Sequence, residues 1–492
     1  MSPAVVIGGG LGGLSAAIHL RVAGHDVLLL EKNATLGGKC NHMEWEGFQF
    51  DTGPSLLTLP HILDGVFTAA GKNRADYLEL IRLAPACRYT FADGTRFDAP
   101  GDIDGFRAAV AKTFPEDCAA LDKFLRDGQT LWDISGPMFL FNRFRLSNAF
   151  RVGPLKALRG LSALMPQSLE QALKKQFRDP RLIQLFSRYA TYNGSDPVRT
   201  PATFNVIAHA EMAYGSWHCM GGMVAMVRAL EKLARDIGVD IQTETEVASL
   251  AFSSNGKAVT GLTLVSGEQL QTSRVVINAD AITALTGSLL AEHPQAVKWQ
   301  NQWSKKEASS SGYVLLLALD KQVDGLACHN IFFNQNYRDE FRDLFGSPQP
   351  LQDPTIYVSI PGKVDHSQAP AGKEAWFVLV NAPSLDRFDQ WQESYTDFLL
   401  DKMERVIPGF DRSGILWQKA LPPTFLKERY HAWHGSIYGP SSNNQRDAFF
   451  RVPNRSSIKG LSFTGGSAHP GGGIPLVLTS GRLAAECLGR PN

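Results

Sequence analysis

The N-terminal residues carry the pattern that most constrains the fold, five glycines within the six residues Gly8-Gly9-Gly10-Leu11-Gly12-Gly13. A short apolar run, 4–7, precedes them, and apolar side chains recur at helical spacing over 14–20. A second short apolar run, 26–30, ends on Glu31. This order predicts a βαβ unit that binds a dinucleotide: a strand, a glycine turn, a helix, a second strand and an acidic residue.

Each of the characteristic positions of this unit has a physical task. Gly8 permits the tight turn after the strand, and Gly10 lets the backbone approach a pyrophosphate. Leu11 begins the helix whose N-terminus would hold the diphosphate, and Gly13 lets helix and strand pack closely. Glu31 would accept hydrogen bonds from ribose hydroxyls. This pattern predicts a dinucleotide without choosing between NAD and FAD.

The residues after Glu31 extend the pattern with Lys32, a spacer and then Gly37-Gly38-Lys39. This resembles the motif of the flavin amine oxidase and carotenoid desaturase superfamily, and the resemblance implies FAD as cofactor. Gly38 would let the backbone approach the cofactor, and Lys39 would place a cation near phosphate or flavin. The alternative is a hairpin turn with a solvated lysine. No second GxGxxG follows a strand later in the chain, which argues against a separate NAD(P)H site.

The C-terminal region repeats the combination of strand, glycine-rich turn and helix. Five glycines surround His469-Pro470 between 458–464 and a helical segment that begins near Ile474-Pro475. The loop closely resembles the C-terminal signature of bacterial carotenoid desaturases. That resemblance implies that Gly466, Ile474 and Pro475 lie at the flavin end of FAD. His469 is either a hydrogen-bonded loop histidine or an acid/base group near the flavin.

Further resemblance to the carotenoid desaturases covers nearly the whole chain. It includes 51–55, which implies that Pro54 and Ser55 contact the cofactor, and Val247, whose backbone would meet the adenine side. The alternative for Val247 is an ordinary buried strand residue. The chain departs from the family pattern at 217–220, Trp-His-Cys-Met, which puts the substrate or reaction position in doubt.

The 492 residues are too many for one ordinary core, so two or more closely packed domains are expected. The predicted fold class is α/β: a Rossmann-like FAD-binding domain, a substrate domain with a mixed β-sheet, and a helical, membrane-binding insertion. Strands are expected at 313–319, 356–360 and 375–380, helix over most of 106–204, and a hairpin from 259–264 and 270–277. The FAD-binding domain is assigned to 1–88, 207–286 and 440–492, and the substrate domain to 89–206 and 287–439.

Basic and bulky apolar residues alternate between Pro137 and Pro166 with no acidic residue among them. Such a segment suits the surface of an anionic membrane, where each basic residue contributes about 1 kcal/mol. The alternative is an ordinary helix with a solvated basic face. The residues assigned to the membrane contact are Arg143, Arg145, Phe150, Arg151, Lys156 and Arg159. We therefore expect a cytoplasmic protein bound peripherally to the inner face of the cell membrane.

Composition limits the other partners. A formal net charge of +1 argues against nucleic acid as the main partner. The six cysteines form no CxxC pair, which suits reduced thiols, and no metal site is expected, including at His431 and His434. The glycines at the N-terminus interrupt any signal-peptide core, and no apolar run approaches the roughly 20 residues needed to span a bilayer.

The resemblance implies FAD-dependent desaturation of an acyclic carotenoid, either phytoene or a later intermediate that can carry a 1-hydroxyl group. In such a reaction the flavin accepts hydride and a neighbouring carbon loses a proton, so few catalytic side chains are needed. Asp196, Tyr192 and His469 are the candidate proton acceptors, and a membrane quinone or oxygen would reoxidise the flavin.

Three alternatives remain open from the sequence. The first is another flavin oxidase of the superfamily that acts on an amine or a porphyrinogen. The second is an enzyme that oxygenates or isomerises a carotenoid. The third is a non-enzymatic prenyl-binding escort protein, against which the intact glycine and Glu31 pattern argues.

Overall fold

The computed structural model describes residues 2–143 and 167–491, and its first layer is a parallel sheet of five strands. The central strand pairs Val5 with Leu28 on one side and with Val275 on the other. Both faces of the sheet are covered, which explains why its three inner strands are uninterrupted apolar runs. In spatial order the strands are Leu461–Phe463, Val275–Ile277, Ala4–Ile7, Val27–Leu30 and Asp240–Gln242.

Helices cover one face of this sheet and a small antiparallel sheet covers the other. The main helices are Leu11–Val22, Met223–Asp236 and Ile474–Leu488. The opposite face packs on the three strands Val247–Phe252, Val259–Leu264 and Gln269–Gln271. This is the expected dinucleotide-binding architecture, α/β with a parallel sheet.

The prediction of one strand over 270–277 is wrong, because this range contributes to two strands in different sheets. Gln269–Gln271 pairs with Val259–Leu264, whereas Val275–Ile277 lies in the parallel sheet beside Ala4–Ile7. Between them the Thr272 hydroxyl donates to the Pro3 carbonyl and accepts from the Arg274 amide. This local turn redirects the chain from one sheet to the other, and alternation of apolar residues does not reveal it.

The second layer is a mixed sheet of seven strands, in which one pair, His329–Phe332 with Cys87–Thr90, is parallel. One face packs on helix Ser394–Val406 and the other on the hairpin His42–Trp45 and Phe48–Asp51. The three strands predicted for this sheet are confirmed with small changes in length. In spatial order the strands are Ile415–Leu421, Ser311–Leu319, Glu374–Ala382, Ile356–Ser359, His329–Phe332, Cys87–Thr90 and Arg96–Ala99.

A group of helices packs beside the end of the mixed sheet formed by Cys87–Thr90 and Arg96–Ala99, around a core rich in phenylalanine. The prediction that 106–204 is largely helical is confirmed for the described part of that range. The helices around this core are Ile103–Thr113, Cys118–Ser135, Leu169–Gln176, Pro180–Ser187 and, beyond the predicted range, Asn205–Tyr214. The π-helical turn Gly136–Leu140 follows Cys118–Ser135.

The remaining elements connect these layers. Strands Leu80–Arg82 and Trp217–Cys219 form a short antiparallel pair. The other α-helices are Pro60–Ala69, Ala281–Thr286, Ala296–Trp303, Tyr337–Gly346, Pro423–Tyr430 and Gln445–Phe449. Within the described ranges, no helix combines the length and the apolar character needed to cross a bilayer.

The parallel sheet with its helices and the second, mixed sheet confirm the predicted α/β fold class, and membrane binding by the insertion stays a prediction. Strands of the parallel sheet come from three separate parts of the chain, and those of the mixed sheet come from two. We retain the division at residues 88, 206, 286 and 439 as a proposal, because strand membership does not by itself fix a domain boundary.

Helices Leu11–Val22 and Ile474–Leu488 cross closely at Gly481. A Cβ atom added at Gly481 would lie 2.4 Å from the Gly12 carbonyl oxygen and 2.6 Å from Ser15 Cβ. We predict that Gly481→Ala lowers the free energy of unfolding by about 1–3 kcal/mol, because the helices must separate. Urea unfolding measures this change, and Gly346→Ala, where an added Cβ meets nothing within 4 Å, is the control. Equal midpoints for the two variants would contradict this packing.

Candidate functional site

A cavity of about 720 Å³ lies between the two main sheets. On the parallel-sheet side its wall consists of the loops that follow the carboxyl ends of the strands, where α/β folds bind their ligands. The loops are 8–12 after the first strand, 31–33 after the second, 278–280 after Val275–Ile277, and 465–467 after Leu461–Phe463.

Two helix N-termini open onto this cavity. Helix Leu11–Val22 begins after Gly10, and helix Ile474–Leu488 begins after Gly473. Neither has a side-chain cap or an acidic residue in its first turn, so their backbone N–H groups and positive dipole ends face the cavity. Such ends favour negatively charged ligand groups.

The Glu31 carboxylate is fixed at the end of its strand. One oxygen accepts from the Gly9 amide at 2.7 Å, and the other accepts from the Asn33 backbone and side-chain nitrogens at 2.9 and 2.7 Å. A carboxylate has about four acceptor positions, so one remains for a ligand hydroxyl. Glu31 is 5% exposed and lines the cavity, which suits the ribose-binding role expected for it.

The first glycine loop is shaped by close backbone contacts. A Cβ atom at Gly13 would lie 2.0 Å from the Gly8 carbonyl oxygen, so helix and strand can pack here only without a side chain. Gly13 itself does not line the cavity. A Cβ atom at Gly10 would lie 2.8 Å from Asn278 Nδ2, and both residues line the cavity.

Lys39 crosses from the second glycine turn to the segment before Tyr438. Its Nζ donates to the Ile437 carbonyl at 2.7 Å and to the Ser436 carbonyl at 3.2 Å. Burial lowers the pKa of Lys39, and the nearby Asp280 carboxylate opposes this shift. The alternative of a solvated lysine in a hairpin is therefore wrong, because the ammonium group is bound within the cavity wall.

Most residues assigned to the cofactor from the sequence come together at this cavity. Pro54 and Ser55 enter from the segment after the 48–51 strand, and Val247 enters from the small antiparallel sheet. The assigned residues that line it are Gly8, Gly10, Leu11, Glu31, Lys32, Gly38, Lys39, Pro54, Ser55, Val247, Gly466, Ile474 and Pro475.

One of the three candidate proton acceptors lines the cavity. Tyr192 does so, and its hydroxyl donates to Glu211 Oε2 at 2.5 Å. Burial raises the pKa of Tyr192, so its hydroxyl stays protonated at neutral pH. Asp196 is not part of the lining; its carboxylate accepts from the Val198 amide at 2.8 Å and holds a turn.

His469 lies on the other side of the C-terminal loop from the main cavity. Its Nε2 is 2.9 Å from the Asn142 carbonyl oxygen, and its ring packs edge-on against Phe139. It lines a second pocket of about 400 Å³ with Arg143 and Arg451. Catalytic roles for Asp196 and His469 stay predictions, and neither has a contact with the main cavity.

Of the proposed membrane-contact residues, the structure describes Arg143. Its Nη1 lies 3.6 Å from Cys487 Sγ. The other five, Arg145, Phe150, Arg151, Lys156 and Arg159, lie outside the described residues. The departure from the family pattern at 217–220 falls on a strand that pairs with Leu80–Arg82, where His218 lies 3.4 Å from Asp365 Oδ2.

Several lining residues were not assigned from the sequence. Asn278 donates to the Gly8 carbonyl at 3.1 Å, and Asp280 caps the helix Ala281–Thr286. Tyr438 packs against Gly472, where an added Cβ would lie 2.3 Å from its ring. For Asn278 and Asp280 the signal in the sequence was their position directly after a buried strand.

The opposite wall of the cavity is one face of the mixed sheet. Directly paired residues on five neighbouring strands form a row across it and all line the cavity. In order they are Leu421, Val314, Leu379, Tyr357 and Ile331. Four of the five are aliphatic, so this wall suits a long apolar ligand.

Comparison with known proteins identifies the family. The flavin containing amine oxidoreductase family matches residues 11–489. The chain belongs to this family. It is an FAD-dependent oxidoreductase. The cavity between the two sheets has the groups that its cofactor needs: two uncapped helix N-termini as hydrogen-bond donors, a fixed acceptor at Glu31, and glycine loops that permit close approach.

Two relatives of this flavoenzyme are named for carotenoid substrates. A 1-hydroxycarotenoid 3,4-desaturase from Flavobacterium sp. (strain P99-3) is 34% identical, with 100% of both chains covered. A 4,4'-diapolycopene oxygenase from Methylomonas sp is 36% identical, covering 98% of this chain and 97% of the relative. These findings confirm the resemblance to carotenoid-acting members of the family.

Solved structures confirm the fold. Putrescine oxidase bound to putrescine superposes with a TM-score of 0.64 and 15% sequence identity, covering 99% of this chain and 98% of that chain. At this identity the likeness concerns the fold alone.

The glycine loop provides a test of where FAD binds. We predict that Gly10→Val abolishes retention of the yellow cofactor during purification, because its side chain would enter the space expected for the pyrophosphate. Gly65→Val is the matched control, since Gly65 lies on an exposed helix face with nothing within 4 Å of an added Cβ. Flavin absorbance per chain and far-ultraviolet circular dichroism are measured together. A folded Gly10→Val protein with full flavin content would contradict this placement.

Proposed function

We propose that this flavoenzyme desaturates an acyclic carotenoid, with or without a 1-hydroxyl group. The observation that carries the proposal is the similarity over the whole chain to proteins named for carotenoid substrates. The apolar wall from Leu421 to Ile331 agrees with it, because a polyene offers a long apolar surface and no charge.

We assign the FAD subsites from the cavity lining. Gly8, Gly10 and Leu11 would hold the diphosphate at the first helix N-terminus, and Glu31 the ribose. Lys32 and Val247 would border the adenosine end, and Lys39 would lie nearer the flavin. The other contributions to the flavin side would come from Gly38, Pro54, Ser55, Gly466, Ile474 and Pro475.

The reaction removes a hydride from one carbon and a proton from its neighbour. FAD, when bound, supplies the hydride acceptor. The side chains of this chain align the polyene along the mixed sheet and exclude water from the reacting carbons. Tyr192 is protonated and donates to Glu211, so it can take up the departing proton only by passing its own to that carboxylate.

The substrate assay tests this proposal. Enzyme with FAD and a quinone is added to liposomes that contain phytoene, a later acyclic carotene or a 1-hydroxylated acyclic carotene. We predict a red-shifted polyene spectrum with at least one of them and a product that has lost two hydrogen atoms. Heat-denatured enzyme serves as the control. Absence of conversion with all forty-carbon and thirty-carbon acyclic substrates would overturn the proposal.

A second candidate is oxidation of a terminal methyl group, favoured by the 36% identity to the diapolycopene oxygenase. The same assay separates the two reactions, because an oxygenase product gains oxygen. Running it with oxygen removed and quinone present also distinguishes the proposed electron acceptors. Amine oxidation has less support, since the solved amine oxidase compared above is 15% identical.

We also propose that the segment 137–166 binds the cytoplasmic face of the membrane, where the carotenoid is dissolved. The segment carries five basic residues and no acid. A substrate that is insoluble in water requires the enzyme to contact the bilayer, and anionic headgroups attract such a segment.

Charge removal tests the membrane proposal. Replacing Arg145, Arg151, Lys156 and Arg159 with glutamine should weaken binding to phosphatidylglycerol-containing vesicles by up to about a thousandfold, because four charges at about 1 kcal/mol each contribute about 4 kcal/mol. Lys298→Gln/Lys305→Gln, at two exposed positions elsewhere, is the control. Vesicle co-sedimentation measures both, with phosphatidylcholine vesicles for comparison. Undiminished sedimentation of the fourfold variant would rule out this segment as the anchor.

A further inference from the structure

A buried group of charged and phenolic side chains borders the cavity beyond the apolar row. The Arg188 guanidinium donates from Nη2 to Tyr89 Oη at 2.6 Å and lies 3.7 Å from Glu211 Oε1. Tyr189 and Tyr192 donate to the two oxygens of Glu211 at 2.8 and 2.5 Å. The guanidinium also lies 4.8–5.3 Å from the centres of these three tyrosine rings. We call these five residues the Arg188 cluster.

The Arg188 cluster lies at one end of the apolar wall. Tyr89 pairs with Ile331, the last residue of the row, in the register of the mixed sheet. Arg188, Tyr192 and Glu211 all line the same cavity as the glycine loops. A ligand that extends along the row therefore reaches an ion pair at this end.

The cluster retains hydrogen-bonding capacity that its own side chains do not use. Arg188 Nε is buried and has no hydrogen-bond partner. Each Glu211 oxygen accepts one tyrosine hydroxyl and keeps a further acceptor position. Ser216, which is 1% exposed and follows the helix that carries Glu211, also lines the cavity with an unpartnered hydroxyl.

The charges of the cluster select a neutral ligand group. The positive charge of Arg188 is balanced by the Glu211 carboxylate at 3.7 Å, so an added anion would face that carboxylate. Burial lowers the pKa of the neighbouring His329 to about 3, so its imidazole adds no charge at neutral pH. A hydroxyl group has one donor and two acceptor positions, and can therefore bond to both Glu211 and Arg188 Nε.

A plain hydrocarbon end is the poorer match. It would remove water from the buried guanidinium and carboxylate without returning a hydrogen bond, and such desolvation is unfavourable. A site built to bond a ligand hydroxyl rejects the analogue that lacks it for this reason.

We propose that Arg188 and Glu211 bind a hydroxyl group on the terminal isoprene unit of the carotenoid. This inference rests on the proposed function and deepens it: Glu211 accepts from the hydroxyl, Arg188 Nε donates to it, and the polyene extends from there along the apolar row. The enzyme then selects acyclic carotenoids that are already hydroxylated, so a hydration or hydroxylation reaction must supply its substrate.

Ligand binding by the wild-type enzyme gives the first test. The FAD-loaded enzyme is titrated with three polyenes of the same length in mixed micelles: a 1-hydroxylated acyclic carotene, its methyl ether and the parent hydrocarbon. Quenching of tryptophan fluorescence gives the dissociation constants. We expect the hydroxylated ligand to bind at least about tenfold more tightly than the hydrocarbon. The ether should bind more weakly than the alcohol, since it cannot donate to Glu211. Equal affinity for the three would overturn the inference.

A double substitution gives the second test. Arg188→Met/Glu211→Gln removes both charges together, so neither is left buried without its partner. We expect the preference for the hydroxylated ligand to fall about tenfold while flavin content is retained. The matched control is Lys363→Met/Glu374→Gln, a pair 2.6 Å apart that does not line the cavity, which should keep the preference. A double variant with the wild-type preference would contradict our assignment.

Turnover with the same three ligands separates the proposed desaturase activity from the proposed hydroxyl-binding site. Tighter binding of the alcohol without oxidation of any ligand would remove the proposed function and leave the hydroxyl site standing. Oxidation of alcohol and hydrocarbon with equal kcat/KM would remove the hydroxyl site and leave the desaturase standing. The wild-type measurements decide whether the hydroxyl-binding site exists, even if the double variant does not fold.

Discussion

The close packing of helix Leu11–Val22 determines where the other parts of the site can lie. Gly13 brings this helix against the turn at Gly8, and Gly481 brings the C-terminal helix against its other side. Because these contacts are backbone to backbone, a side chain at either glycine would push the elements apart. The result is that two uncapped helix N-termini, more than 450 residues apart in the sequence, open onto one cavity.

The parts of this arrangement that depend on local chemistry were predictable from the sequence. The first glycine loop and Glu31 lie within one βαβ unit, whose spacing specifies the geometry. The C-terminal loop likewise has a strand, a glycine turn and a helix in order. Three of the seven strands of the mixed sheet, and the first two strands of the parallel sheet, were found from their apolar runs. The predicted strand 270–277 was misread because a polar residue, Thr272, makes the turn between two sheets.

The substrate side was less predictable, because it depends on contacts between distant segments. The apolar wall takes one residue from each of five strands, and its continuity follows from their register. Arg188 and Glu211 are 23 positions apart and meet only when two helical segments pack at the edge of the mixed sheet. Neither residue belongs to a motif that sequence spacing could reveal. His469 shows the reverse, since this prominent motif residue lines the second pocket and is not part of the main cavity's lining.

One anaerobic single-turnover measurement tests the central claim, that flavin and carotenoid react in the same cavity. Oxidised enzyme is mixed with one equivalent of substrate, and the absorbance of the flavin and of the polyene is followed together. We predict that the flavin bleaches at the same rate as the longer polyene forms, with one product per flavin. A longer polyene that forms while the flavin stays oxidised, or forms only when oxygen is admitted, would contradict it.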